Sequence, residues 1–394
     1  MEPTELLEIV GRGEDSHHQF KENVASPASL AAELVAFANS GGGQIFVGVA
    51  DDGSINAHNA ASIGRLNQLI ANTASSSVRP PINPLTENVA VSGGVVIVVS
   101  VSDGLSKPYM DNNGAIWVKS GSDKRKVTSR EEMQRMFQSA LLVHGDDIPV
   151  PRTSVADIDL DYFRWFFKLR FDQELDEQGL SLRQVLSNMR LLIDDTLTVT
   201  GVLLFAKDPQ AFLPVFHIKA VCYPGNEIHS STYIDSEDMF GRIQTQFENS
   251  LAFLLRNLRK GQMGQGVNST GKVEIPRIVL EELLANALIH RDYFVSAPIR
   301  IFVFDDRVVI ISPGHLPNNL TLANIRSGNS NIRNPILTSF ATKVIPYRGL
   351  GTGIVRAVKA YPEIEFADDR DGNVFKAVIR RNTNNITTPP SPSV

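Results

Sequence analysis

The chain has 394 residues, 42% of them hydrophobic, which is too long for one ordinary domain and ample for two or three with cores of their own. Its formal net charge of −5 argues against a generally basic, nucleic-acid-coating protein, so any nucleic-acid surface must be a local patch. No apolar run reaches about 18 residues, Met1-Glu2-Pro3-Thr4-Glu5 is acidic and lacks a signal-peptide pattern, and the single cysteine has no partner for an internal disulfide. No membrane span is expected, and a bacterial-type cytoplasmic protein is.

Residues 1–145 read as a first unit. Helices are predicted over 1–10, 29–39, 60–74 and 131–142, and strands over 19–21, 44–50, 95–101 and 115–119. Ser40-Gly41-Gly42-Gly43 ends the second helix, and Asp51-Asp52-Gly53 is a turn. The pattern is α+β with a mixed sheet. A basic cluster of Lys119, Lys124, Arg125, Lys126 and Arg130 has only Asp123 opposing it. It reads as a phosphate-binding surface, as a solvated turn between strand and helix, or as a face for an acidic partner. Tyr109 and Trp117 read either as stacking platforms for bases or as core.

Residues 146–270 read as a linker and a middle α/β region. Helices are predicted over 159–171, 182–189 and 240–258, and strands over 202–205 and 216–223. The second of these strands favours a buried thiol for Cys222. A Gly-rich, polar stretch over 261–271 reads as mobile. No chemistry is assigned to this region, although part of it is a candidate to complete the sheet-and-helix sandwich of the domain that follows. The polar tail over 383–394, with Pro389, Pro390 and Pro392, is expected to be disordered.

The chemistry concentrates in residues 271–382. After Pro276, apolar residues at helical spacing predict a helix that carries Glu282, Asn286 and His290 four residues apart, and therefore on one face. A carboxamide oxygen there can take a hard cation such as Mg²⁺, and the carboxylate beside it can align a water. A hairpin over 300–311 follows, then the Ser312-Pro313-Gly314 loop and a polar segment containing Arg333. Arg348-Gly349-Leu350-Gly351-Thr352-Gly353 opens a last helix, where glycines let backbone N–H groups approach phosphates.

The order of these parts resembles the GHKL ATP-binding fold, and more closely the divergent form found in RecG-related proteins described as transcriptional regulators. The resemblance covers about residues 270–382 and implies a GHKL-like α/β sandwich binding ATP and Mg²⁺. It implies that Glu282 positions the attacking water of a weak ATPase and that Asn286 holds the metal. The adenine-recognising Asp of the fold falls on Ser312, before Gly314. The nucleotide set it implies is Asn286, Ser312, Gly314, Arg333, Gly349, Gly351, Thr352 and Gly353.

A second resemblance rests on Glu14, Phe20-Lys21, Ala36-Phe37-Ala38-Asn39-Ser40-Gly41-Gly42-Gly43, Asp51-Asp52-Gly53, Lys107-Pro108-Tyr109 and Trp117-Val118-Lys119-Ser120-Gly121. It is to the Schlafen AlbA-type domain, also called divergent AAA and described as DNA-binding. Some members are metal-dependent RNA nucleases with three acidic residues, which fall here on Glu14, Gln19 and Asp51. The amide at Gln19 removes one unit of charge from a site that needs several to offset cation dehydration. The resemblances imply an ATP-binding regulator whose nucleotide state is coupled to nucleic-acid or partner binding. The alternatives are a nucleotide-gated nuclease and a degenerate scaffold. The oligomeric state stays open.

Overall fold

The computed structural model describes residues 1–24, 26–140, 142–228, 232–261, 272–317 and 320–381. The expectations for 262–271 and for the tail over 383–394 lie outside the described residues. The chain divides into two compact units, Met1–Val143 and His144–Val394, and the architecture is α+β in both.

In the first unit, a four-stranded mixed sheet runs in the order His18–Lys21, Gly43–Val47, Gly94–Val101, Leu85–Val91. The first pair is parallel and the others antiparallel. Side chains alternate across a strand, and here both faces are covered. Ile45, Val47, Ile97 and Val99 face the core shared with the helices Pro27–Asn39 and Ala60–Ser76. Phe46, Val96 and Val98 face a second core with Leu6 and Val10 of the helix Pro3–Arg12. The near-continuous Val/Ile run over 95–101 is therefore what a doubly covered strand requires.

In the second unit, a six-stranded sheet runs in the order Asp235–Met239, Ile218–Cys222, Ile299–Val303, Arg307–Pro313, Val374–Arg380, Ile364–Asp369. Only the pair Ile218–Cys222 and Ile299–Val303 is parallel. Two of the six strands thus come from the stretch read from sequence as a middle region. That stretch also supplies the helix Ile243–Asn257, which packs on the helix Arg277–His290. One continuous core runs from Val150 to Ile379, so residues 144–270 are not a body of their own. Cys222 is buried, as its strand context implies.

The apolar run over 202–205 is a helix, Val199–Phe205, not a strand. A run this short carries no decisive period. The local signal is the Thr198 hydroxyl, which caps the first turn by accepting from the Gly201 amide at 3.2 Å. Gly201 is needed because a Cβ there would collide with the Leu191 carbonyl oxygen.

Candidate functional site

The helix Arg277–His290 is buried almost all round, because the sheet, the helix Ile243–Asn257 and the helix Gly353–Ala360 each cover part of it. Sequence spacing puts Glu282 on a polar face, but the residue is only 2% exposed. Burial raises the Glu282 pKa, opposed by Arg356. Glu282 Oε1 lies 2.5 Å from Arg356 Nη2, while the other carboxylate oxygen is buried with no hydrogen-bond partner.

One turn on, Asn286 Nδ2 donates to the Glu282 carbonyl oxygen at 2.6 Å. Because a carbonyl can only accept, this bond fixes the amide orientation and leaves the amide oxygen for another partner. The glycine turn closes over both side chains. A Cβ on Gly353 would collide with Glu282 Oε2 and come within 3.2 Å of Asn286 Nδ2. Gly349 and Gly351 have φ of +69° and +70°, values at which any side chain is strained.

Glu282, Asn286, Ser312, Gly314, Gly349, Gly351, Thr352 and Gly353 all line one concave pocket. Its lining includes the apolar side chains of Leu283, Ile310, Leu316 and Phe375. Ser312 is buried there, and its hydroxyl donates to the Ala287 carbonyl at 3.1 Å. The proton is thereby committed, so Ser312 presents only an acceptor to the pocket.

Arg333 stands apart from that set. The side chain is half-buried, and its guanidinium donates to the main-chain oxygens of His290 at 3.3 Å and His315 at 2.5 Å. This ties the segment after the strand Arg307–Pro313, where Ser312 and Pro313 pair with Phe375 and Val374 rather than forming the expected loop, to the Glu/Asn helix. It does not line the pocket. A Cβ on Gly314, at φ +99°, would collide with this guanidinium, so that glycine makes room for an arginine. His290, half-buried, has its pKa pushed down to about 4 by desolvation, with the nearby Arg333 adding to the shift. Its Nε2 lies 2.8 Å from the Tyr347 hydroxyl, which fastens the segment before the glycine turn. Among the pocket groups that the sequence reading did not assign to the site are Tyr347, Arg348 and Arg356. Arg356 was findable, since it sits three residues after Gly353 on the same helix face.

The residues fit a nucleotide carrying a divalent cation. There is a free amide oxygen, a cradle that any Cβ at Gly353 would fill, and a carboxylate oxygen and an arginine Nε buried without partners.

The acidic site of the first unit is arranged differently. Glu14 Oε1 accepts from the Phe20 amide at 2.6 Å and from Gln19 Nε2. Gln19, 5% exposed, turns its oxygen to Lys119 Nζ at 2.7 Å. Burial lowers the Lys119 pKa, opposed by Glu33 and Glu14. An ammonium therefore stands beside the carboxylate and amide of the motif. Asp51 is exposed, and among the described residues no three His, Cys, Asp or Glu gather to hold a metal ion.

The five basic residues do not form one face. Trp117–Ser120 and Asp123–Lys126 pair as a hairpin with Lys119 opposite Lys124. Lys124 reaches inward to the buried Glu33 at 2.6 Å. Arg125 makes a bidentate pair with Glu132 at 2.6 and 2.9 Å. Lys126 and Arg130 are exposed. Tyr109 belongs to the core, and Trp117 packs on that core while its indole N–H donates to Asp111 at 2.9 Å. Asn39 explains the Ala-Asn-Ser-Gly motif. Its amide donates to the carbonyls of Tyr109 and Trp117 and accepts from the Tyr109 amide, all within 3.0 Å.

Comparison with family models gives two matches. Residues 14–128 match the family described as "Schlafen, AlbA_2". Residues 296–375 match the family described as "Putative ATP-dependent DNA helicase recG C-terminal". No curated protein matches. Among solved structures, the DIP2311 protein from Corynebacterium diphtheriae is similar at 20% identity and a TM-score of 0.47, over 96% of this chain and 81% of that one. The N-terminal domain of the "Putative ATP-dependent DNA Helicase RecG-related Protein" from Nitrosomonas europaea is similar at 21% identity and a TM-score of 0.23, over 33% of this chain and 96% of that one. Neither structural likeness carries an argument about function. Among the described residues no helix is long and apolar enough to cross a membrane. With the two family matches lying in the order that the motifs set, the chain joins a Schlafen AlbA_2 domain to an ATPase-like domain of the RecG C-terminal type.

Proposed function

We propose that this is an ATP-binding regulatory protein whose C-terminal unit takes ATP with Mg²⁺ and whose nucleotide state governs nucleic-acid binding by the AlbA_2 unit. The observation that carries the reading is the single pocket in which Glu282, Asn286, Ser312 and the glycine turn converge. Asn286 would hold the cation through its amide oxygen. The ion supplies charge neutralisation for the phosphates, and the backbone N–H groups at the start of the Gly353–Ala360 helix add to it. Glu282, once released from Arg356, would orient water for slow hydrolysis. Ser312, reduced to an acceptor, matches the amino group of adenine and opposes the carbonyl oxygen that guanine carries at the same edge.

The test is a thermal-shift and calorimetric series with ATP, ADP and GTP, with and without Mg²⁺. ATP at about 100 times its Kd stabilises a single-site protein by about 2.7 kcal/mol, which is readily seen. The expected result is an Mg²⁺-dependent shift with ATP and a smaller one with GTP. Equal shifts with both would remove the role given to Ser312, and no shift with any nucleotide would remove the reading.

A further inference from the structure

Arg356 is given no role toward the nucleotide in the reading above, yet it lines the pocket. The residue is the fourth of the helix Gly353–Ala360, and side chains on a helix lean toward its N-terminus. The guanidinium is thereby carried back to the end where the glycine turn presents its N–H groups. There it meets Glu282 Oε1 at 2.5 Å, with side-chain exposures of 33% for the arginine and 3% for the glutamate. The pairing is incomplete on both sides, since Glu282 Oε2 and Arg356 Nε are each buried without a partner. Exchanging the carboxylate for another anion keeps the arginine paired, and the carboxylate it leaves then needs water or a cation in its place.

A guanidinium carries five N–H donors in a planar fork, and a phosphate offers several oxygens that can accept two at once. We infer that Arg356 is the residue that reads the length of the phosphate chain, leaving Glu282 for the terminal phosphate of a nucleoside triphosphate and so freeing the carboxylate to face water. This rests on the nucleotide reading and deepens it. Arg356 acts on Glu282 through this exchange and is a positioning residue with respect to water. Arg348, which also lines the pocket and acts electrostatically on Glu282, keeps the site cationic while the exchange takes place.

The test is the ratio of ATP to AMP affinity, measured calorimetrically with Mg²⁺ in the full chain and in Arg356→Ala and Arg356→Lys. The parent is expected to prefer ATP. Arg356→Ala should lower that preference about 10- to 100-fold, the worth of a charge-assisted hydrogen bond, while AMP affinity stays within a few-fold. Arg356→Lys should recover part of the ratio, because lysine supplies the charge without the fork. Retained AMP binding shows that the alanine variant is folded, and the lysine variant serves if it is not. An unchanged ratio in Arg356→Ala overturns this inference and leaves the nucleotide reading standing. Absence of any nucleotide binding by the parent overturns both.

Discussion

The two units each carry a cluster of charged and amide side chains, and the clusters differ in where their hydrogen-bonding capacity goes. In the first unit Gln19 spends both ends of its amide internally, donating to Glu14 and accepting from Lys119. A cation is already present, and it is covalently part of the chain. In the second unit Asn286 spends only its N–H, on a helix carbonyl, while Glu282 and Arg356 each retain a buried atom without a partner. Buried polar groups are costly unless satisfied, so Gln19, bonded at both ends, holds its cluster together, whereas Glu282 and Arg356 line a cavity with atoms that a ligand could satisfy. The chemistry expected of the first site and that expected of the second therefore part company, although both motifs read as sites in sequence.

The largest effect that would break this comparison is at Gly353. Gly353→Ala drives a methyl into the Glu282 carboxylate, so nucleotide binding should fall by more than about 100-fold, with the nucleotide-dependent thermal shift lost. Undiminished binding would show that the glycine turn is not the phosphate cradle. Asn286→Ala should follow, removing the Mg²⁺-dependent part of ATP affinity, about tenfold or more, while metal-free affinity changes little. Calorimetry with and without Mg²⁺ separates the two terms.

Acid stability probes the same unit through His290. Its pKa in the folded protein is about 4 against roughly 6.5 when unfolded. The folded state therefore binds fewer protons between those values, and its stability falls as pH is lowered from about 6.5 to about 4. The slope is up to about 1.4 kcal/mol per pH unit for this one group. His290→Gln keeps a partner for Tyr347 and should flatten that segment in denaturant titrations across pH. Parallel curves for parent and variant would mean that the histidine is not neutral in the fold.

At the first site the comparison sharpens through a double substitution. Gln19→Glu alone should gain little Mn²⁺ affinity, because Lys119 remains beside the new carboxylate. Adding Lys119→Ala should raise Mn²⁺ affinity by about tenfold relative to the single variant. If the single variant already binds Mn²⁺ and cleaves RNA, the lysine is no barrier and the nuclease reading returns. The smallest effects lie on the surface. With Lys124 and Arg125 engaged by Glu33 and Glu132, any phosphate contacts fall to Lys126 and Arg130. Replacing those two by Ala should lower the slope of log affinity against log salt by roughly 2, near one per lost contact. Replacing Lys124 and Arg125 should move it less.

Several features were legible in the residues alone, because they depend on local chemistry. The apolar period after Pro276 located the Glu/Asn helix, and four-residue steps placed Glu282 and Asn286 on one face. The spaced glycines marked a helix start that a ligand could approach. The missing carboxylate at Gln19 could be read directly. Other features arise only when distant segments meet. Whether Glu282 faces water or an arginine depends on a helix that begins 71 residues later, at Gly353. Arg333 looked like a ligand-facing residue because charge in a polar loop is ambiguous, and only the fold shows its guanidinium bound to two main-chain oxygens. The basic cluster lay close in sequence, but a hairpin turns successive side chains to opposite faces, and a buried Glu33 from another element claims one of them. Strand Ile218–Cys222, with Asp235–Met239 beside it, joined the C-terminal sheet by pairing with Ile299–Val303 across two intervening helices. Sequence thus determined which side chains were chemically available, and tertiary structure decided which were already engaged, because a buried charge takes whatever partner the packing places beside it.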